Sequence, residues 1–223
     1  MEETGQGYER IYGGLLVGTA ALMVFGMMHH PTVSAGDSRS LIEALARQER
    51  AIAGLHGALL LLLWVQAVGF YGLTRLLGAR RPFAAAGFIL FAASAVAMTN
   101  AAVLNGLAAP AFAASLADAP EAEMAAAGAI LRMNWSLNQA WDLVGALGWS
   151  AAVLCWSAAL LREAGAARWL GIAGLAGGSA LAAALAAGAV RFDAQGFGAT
   201  VAALCAFTAA AGVLMIAGRL SRR

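Results

Sequence analysis

A histidine pair, His29 and His30, a third histidine, His56, two asparagines, Asn100 and Asn138, and one aspartate, Asp142, are the residues of this chain best suited to do chemistry. Two or three imidazoles with a carboxylate suit Zn, Cu or non-haem Fe. Asn100 or Asn138 could then orient such ligands from outside. His56 with His29 or His30 could instead be the axial ligands of haem b, although neighbouring spans would have to hold them across the width of the ring. A third chemistry is a small-ligand pocket in which Asp142 takes a proton or a cation, since ionisable groups within a membrane usually mark a pathway. No HExxH or CxxCH spacing selects among these readings, and no motif identifies a reaction.

Depth is what joins these residues. Hydrophobic residues make up 61% of the 223-residue chain and charged residues 12%, about half the usual globular share. Apolar runs occupy about 11–30, 51–74, 83–106, 134–161, 169–190 and 198–218, each long enough for a ~30 Å hydrocarbon core. The expected fold is an all-α integral membrane protein, a bundle of six transmembrane helices forming a single domain over 1–223. Asp142 is the one charge inside these runs. Counted from Arg10, Arg75, Arg81 and Arg162, residues His30, His56, Asn100 and Asp142 each lie 19 or 20 positions along their spans. At ~1.5 Å per residue that is one level, about 30 Å from the inner boundary. Asn134 and Asn138 share the Asp142 stripe at four-residue spacing, and Asn105 extends the third span the same way.

Arginine counts orient the bundle. With the N-terminus inside, nine arginines are cytoplasmic and five are outside, which accounts for all fourteen basic residues. Both termini are therefore expected in the cytoplasm, and short loops with an Ala/Gly/Leu/Arg bias suit a bacterial-type inner membrane. Acidic residues ahead of the first apolar run mark it as a retained span rather than a cleaved signal peptide. With no lysine, a Schiff-base chromophore is excluded. The net charge of +2 with no basic stripe excludes nucleic acid as a partner, leaving the lipid bilayer and protein partners within the membrane.

The connections carry local signals. Ser40-Leu-Ile-Glu43 and Asp118-Ala-Pro-Glu121 both read as capping boxes. Each predicts a short outer helical extension, before spans two and four, in what would be a weak repeat. Gly14-x-x-x-Gly18 and Gly174-x-x-x-Gly178 are candidate close-packing faces. Gln66 is expected to bond between helices, and Cys155 and Cys205 to be packing residues. Met23, Met27 and Met28 would be thioether donors to Cu(I) or, more commonly, core filling. Ser40 to Arg50 is amphipathic enough to lie on the outer surface.

An ordinary explanation stands beside the site. The shared level is the outer interface, where polar residues and tryptophans such as Trp135 and Trp141 collect without any site. His29 in the last turn of a helix is favourable on dipole grounds alone. The leading functional expectation is an outward-facing His/Asn/Asp site for a metal, haem or small ligand. The alternative is a non-catalytic accessory or scaffolding subunit of a larger membrane complex. If the site exists, His56 and one of His29 or His30 face the interior near Asp142 or Asn100. Asp142 is then expected to be protonated, or bonded to His29, His30, His56, Asn100 or Asn138. The topology is directly testable: reporter fusions after Arg81 and Arg223 should read as cytoplasmic and those within 32–50 and 108–122 as external. An external signal at Arg81 would overturn every depth counted from it.

Overall fold

Backbone N–H and C=O groups in lipid have no water to bond, so a chain of this composition must satisfy them within helices. The computed structural model describes residues 3–33, 36–116 and 119–220, and among them there are helices and no strands. The helices are α1 (Glu3–Met28), α2 (Ser38–Leu77), α3 (Pro82–Ala102), α4 (Ala109–Ala114), α5 (Glu121–Leu160), α6 (Ala166–Ala186) and α7 (Ala194–Ile216). A π-helical turn, Val103–Ala108, joins α3 to α4, so that Pro82–Ala114 forms one column of 33 residues. The bundle thus has six helices long and apolar enough to cross a membrane.

The column continues past 106, where the apolar pattern suggests an end, and passes through Pro110. A proline inside a helix has no N–H to donate and presses on the carbonyl four residues back, here Gly106. Widening the preceding turn to π spacing relieves that clash, and the N–H of Ala109 reaches back five residues to the carbonyl of Leu104.

Local signals near α2 fall three residues from where the sequence suggests. Asp37, not Ser40, caps the helix: its carboxylate accepts from the Ser40 N–H at 2.8 Å, and the Ser40 hydroxyl accepts from the Asp37 N–H. Asp37 precedes the first helical residue and offers a carboxylate, the stronger acceptor for a free amide. That bond holds the Asp37 carboxyl below its ordinary value. Glu43 sits beside Arg39 and Arg47 instead. The second proposed box falls partly on Asp118, outside the described residues, and α5 starts behind Pro120 with no side-chain cap.

Packing divides along the bundle axis. The larger core is built around four aromatics: Phe70 stacks on Trp156 with centroids 4.3 Å apart, and Phe91 meets Trp149 edge-on at 5.5 Å. Trp156 donates its indole N–H to the Thr74 hydroxyl at 3.0 Å, giving a buried polar atom a partner. Gln66, wholly buried, donates to Thr208 across α2 and α7. Cys205 is buried, Cys155 half-buried, and both are free thiols. A second cluster, including Ile42, Ala113, Met124 and Leu131, ties the first turns of α2 and α5 to α4.

Glycines set two of the closest helix approaches, and only one of the sequence-derived faces makes contact. On α6, side-chain atoms of Ser157 and Phe207 crowd Gly174, and Leu154 lies against Gly178. Gly14 and Gly18 are exposed, with nothing near them. The residue next door does the packing: a Cβ on Gly13 would meet the Gly212 carbonyl of α7 at 2.6 Å. A four-residue repeat marks a helical face without saying which face meets a neighbour. Gly13→Ala should therefore destabilise the protein by about 1–3 kcal/mol, the scale of overpacking against backbone. Gly14→Ala should be neutral or stabilising by up to ~1 kcal/mol through helix propensity. Thermal melts in one detergent compare the two, and equal losses would refute this account of the α1–α7 contact.

Candidate functional site

Between the two packed clusters the helices part, enclosing a cavity of about 740 Å³. Its floor is the edge of the larger core, at Met23, Leu63, Met98 and Val201. Its walls come from the end of α1, from α2, the π turn and α5, and from the start of α7. Most of that lining is apolar. The polar groups that reach it include His30, His56, Asn105, Asn134, Asn138 and Asp142.

Each of these is placed by a local device. His56 lies on α2, buried, with its Nδ1 2.9 Å from the Ile52 carbonyl one turn back. Its ring rests directly on Gly106 of the π turn, where any Cβ would overlap it. His30 follows the last turn of α1, just before Pro31, and its Nδ1 lies 2.9 Å from the Pro31 carbonyl. The two rings meet edge-on with centroids 5.0 Å apart, and their Nε2 atoms are separated by 3.4 Å. On α5, Asn138 donates to Asp142 at 2.8 Å, and both are buried. Asn134, one turn further along, donates to the Leu104 carbonyl within the π turn at 3.3 Å. An asparagine ladder on α5 thus supports both the carboxylate and the widened turn opposite.

Two of the sequence candidates are not part of this wall. Asn100 donates to the Val96 carbonyl of its own helix and does not line the cavity. Met98, Ala101, Ala102 and Asn105 carry the cavity face of that column, and at ~100° per residue Asn100 lies some 200° from Met98. His29 is exposed, its ring 4.2 Å from that of Phe25 and its Nδ1 2.9 Å from the Phe25 carbonyl. Counting residues fixes depth, and a helix also has azimuth. The expectation that Asp142 bonds to Asn138 holds, while no hydrogen bond joins it to His30 or His56 among the described residues.

Sequence reasoning also missed contributors. Phe192, Asp193 and Phe197 come from the turn before α7 and its first residues, which carried no signal beyond a short loop. Gly106 could have been suspected from Asn105-Gly106 standing four residues ahead of Pro110, but its contact with His56 is a tertiary fact. Among the described residues, no group of three His, Cys, Asp or Glu side chains converges as a metal-ion ligand set. Haem b fits poorly between His30 and His56, because axial ligands meet one iron in line from opposite faces, and rings with centroids 5.0 Å and Nε2 atoms 3.4 Å apart are not in line. No family model, no curated protein and no solved structure matches this chain.

Electrostatics adds one measurable consequence. His30 stands beyond the end of α1, and burial against the cavity holds its imidazole below the ordinary value, partly offset by the bond to Pro31. A histidine whose folded pKa is lowered leaves stability whole above the unfolded value, ~6.5, and erodes it as pH falls through that value, because the unfolded chain binds the proton better. Melting temperature should therefore decline between pH 7.5 and 5.5, and decline less in His30→Gln. Parallel curves for the two proteins would show that His30 is not held neutral by its surroundings.

Proposed function

We propose that this protein is an inner-membrane binding protein whose cavity takes a small amphipathic organic molecule from the outer side. The cavity itself carries the reading: it lies between two well-packed clusters, large enough for a drug-sized ligand, mostly apolar, with a few buried polar groups at its wall. An apolar body would lie against Met23, Leu59, Leu63 and Phe197. A polar or cationic head would meet Asn138 and Asp142. Arginine counts favour the orientation, because they put the His30 end of the bundle outside. At ~60 Å, the forty-residue helices α2 and α5 would then carry their first turns beyond the lipid as outer extensions.

A second reading is favoured by a separate observation. Gly14 and Gly18 give α1 a face of small residues with nothing packed on it, alongside exposed Leu22 and Phe25. An accessory or scaffolding subunit would seat a partner helix there.

A thermal-shift series with amphipathic compounds bearing neutral and cationic heads separates the two. Under the binding reading, some of them stabilise the protein saturably, by about 2.7 kcal/mol at a hundredfold excess over Kd. Leu60→Trp, which fills the cavity, abolishes the effect, and Asp142→Asn weakens it selectively for cationic heads. Stabilisation that survives Leu60→Trp, or none at all, overturns the binding reading and leaves the subunit reading in place.

A further inference from the structure

His30 and His56 bring their Nε2 atoms together, and the bonds at the far side of each ring decide what those atoms are. The Nδ1 atoms face the carbonyls of Pro31 and Ile52, each at 2.9 Å. A carbonyl accepts and cannot donate, so each Nδ1 carries the proton of its ring. In a neutral imidazole the other nitrogen is then a bare acceptor. Two bare Nε2 atoms therefore approach to 3.4 Å with no proton between them, an arrangement that is repulsive unless a cation bridges them.

We propose that His30 and His56 form a two-imidazole site at the cavity wall for a transition-metal cation of the Zn(II) type, bound through both Nε2 atoms. Metal-bound histidines usually donate their other N–H to a carbonyl or carboxylate, which fixes tautomer and ring orientation, and both rings here are held in that way. The separation suits the ion: two Zn–N bonds of ~2.0–2.1 Å span 3.4 Å when they meet at about 110°, close to the tetrahedral angle. Gly106 contributes by having no side chain, since the ring of His56 occupies the space a Cβ would take. A proton shared between the rings is the competing cation. What separates the two is further coordination, because a metal ion draws water into its remaining positions from the cavity and a proton does not. Because no third His, Cys, Asp or Glu among the described residues completes the set, the remaining coordination positions open toward the cavity and are left to water. The site stands on the histidine geometry alone and does not require the organic ligand proposed above.

The test is titration of the full-length protein in detergent with zinc ion alone, after stripping with a chelator, read by calorimetry and by X-ray absorption at the zinc edge. The expected result is one zinc per chain with imidazole scattering from two histidines. His30→Gln and His56→Gln should each weaken binding by at least about tenfold, the scale on which losing even an outer partner of a metal ligand weakens a site. His29→Gln should leave binding unchanged. His56 is buried, so His30→Gln, at the loop, carries the decision if the other variant fails to fold. Zinc binding that is no tighter in the wild type than in His30→Gln, or equally weakened by His29→Gln, overturns the site and leaves a shared proton as the cation.

Discussion

The ring of His56 fills the space beside Gly106 that a side chain would take, and the geometry of the cavity follows from that contact. Pro110 removes one hydrogen bond from the column and pushes on the carbonyl of Gly106, so the turn before it opens to π spacing. The widened turn brings a glycine to the face where α2 presents its histidine, and no other residue could stand there. With His56 pinned on one side by Gly106 and on the other by the Ile52 carbonyl, its remaining nitrogen points to His30. The same turn offers the Leu104 carbonyl to Asn134, which anchors the asparagine and aspartate stripe of α5. One proline thus organises three walls of the cavity through a single displaced turn.

Much of the fold could be read in the sequence because lipid imposes so strict a rule. Six apolar runs separated by arginines have few alternatives to six helices. That His30, His56 and Asp142 reach one cavity was legible for the same reason, since rise per residue is constant along a helix. Rotation about the helix axis was not legible. His29 and His30 are neighbours in sequence and yet face different surroundings, and Asn100 lies on a side of its helix away from the cavity. The Gly14 and Gly18 pattern failed in the same manner, with Gly13 taking the contact one residue and about 100° away. Where two helices share a boundary residue, such as Gly212 or Gly106, the information belongs to the pair and neither strand of sequence states it alone.

The polar groups of the bundle are divided by purpose as well as by place. Thr74, Ser94, Gln66 and Thr208 bond between helices or to their own backbone within the core, and each stays local. The groups at the cavity differ in converging from separate helices onto one space while keeping part of their bonding capacity directed into it. His30 and His56 each spend one nitrogen on the backbone, and Asp142 accepts from Asn138 through one of its two carboxylate oxygens. His29 and Asn100 are held from behind by the same kind of backbone bond, so what sets the cavity groups apart is their convergence.

The aromatic stack has a consequence for traffic. Phe70 and Phe91 lie seven residues beyond the floor positions Leu63 and Met98, so a layer of tightly stacked rings begins about 10 Å below the cavity. The polar side chains at that level, Gln66, Thr74, Ser94 and Thr208 among them, bond within the core, and moving Phe70, Trp149 and Trp156 would mean unpacking the centre of the bundle. The cavity is therefore closed on that side by stacked rings, and anything held against Leu63 and Met98 is separated from the far half of the bundle by the most tightly packed part of the protein.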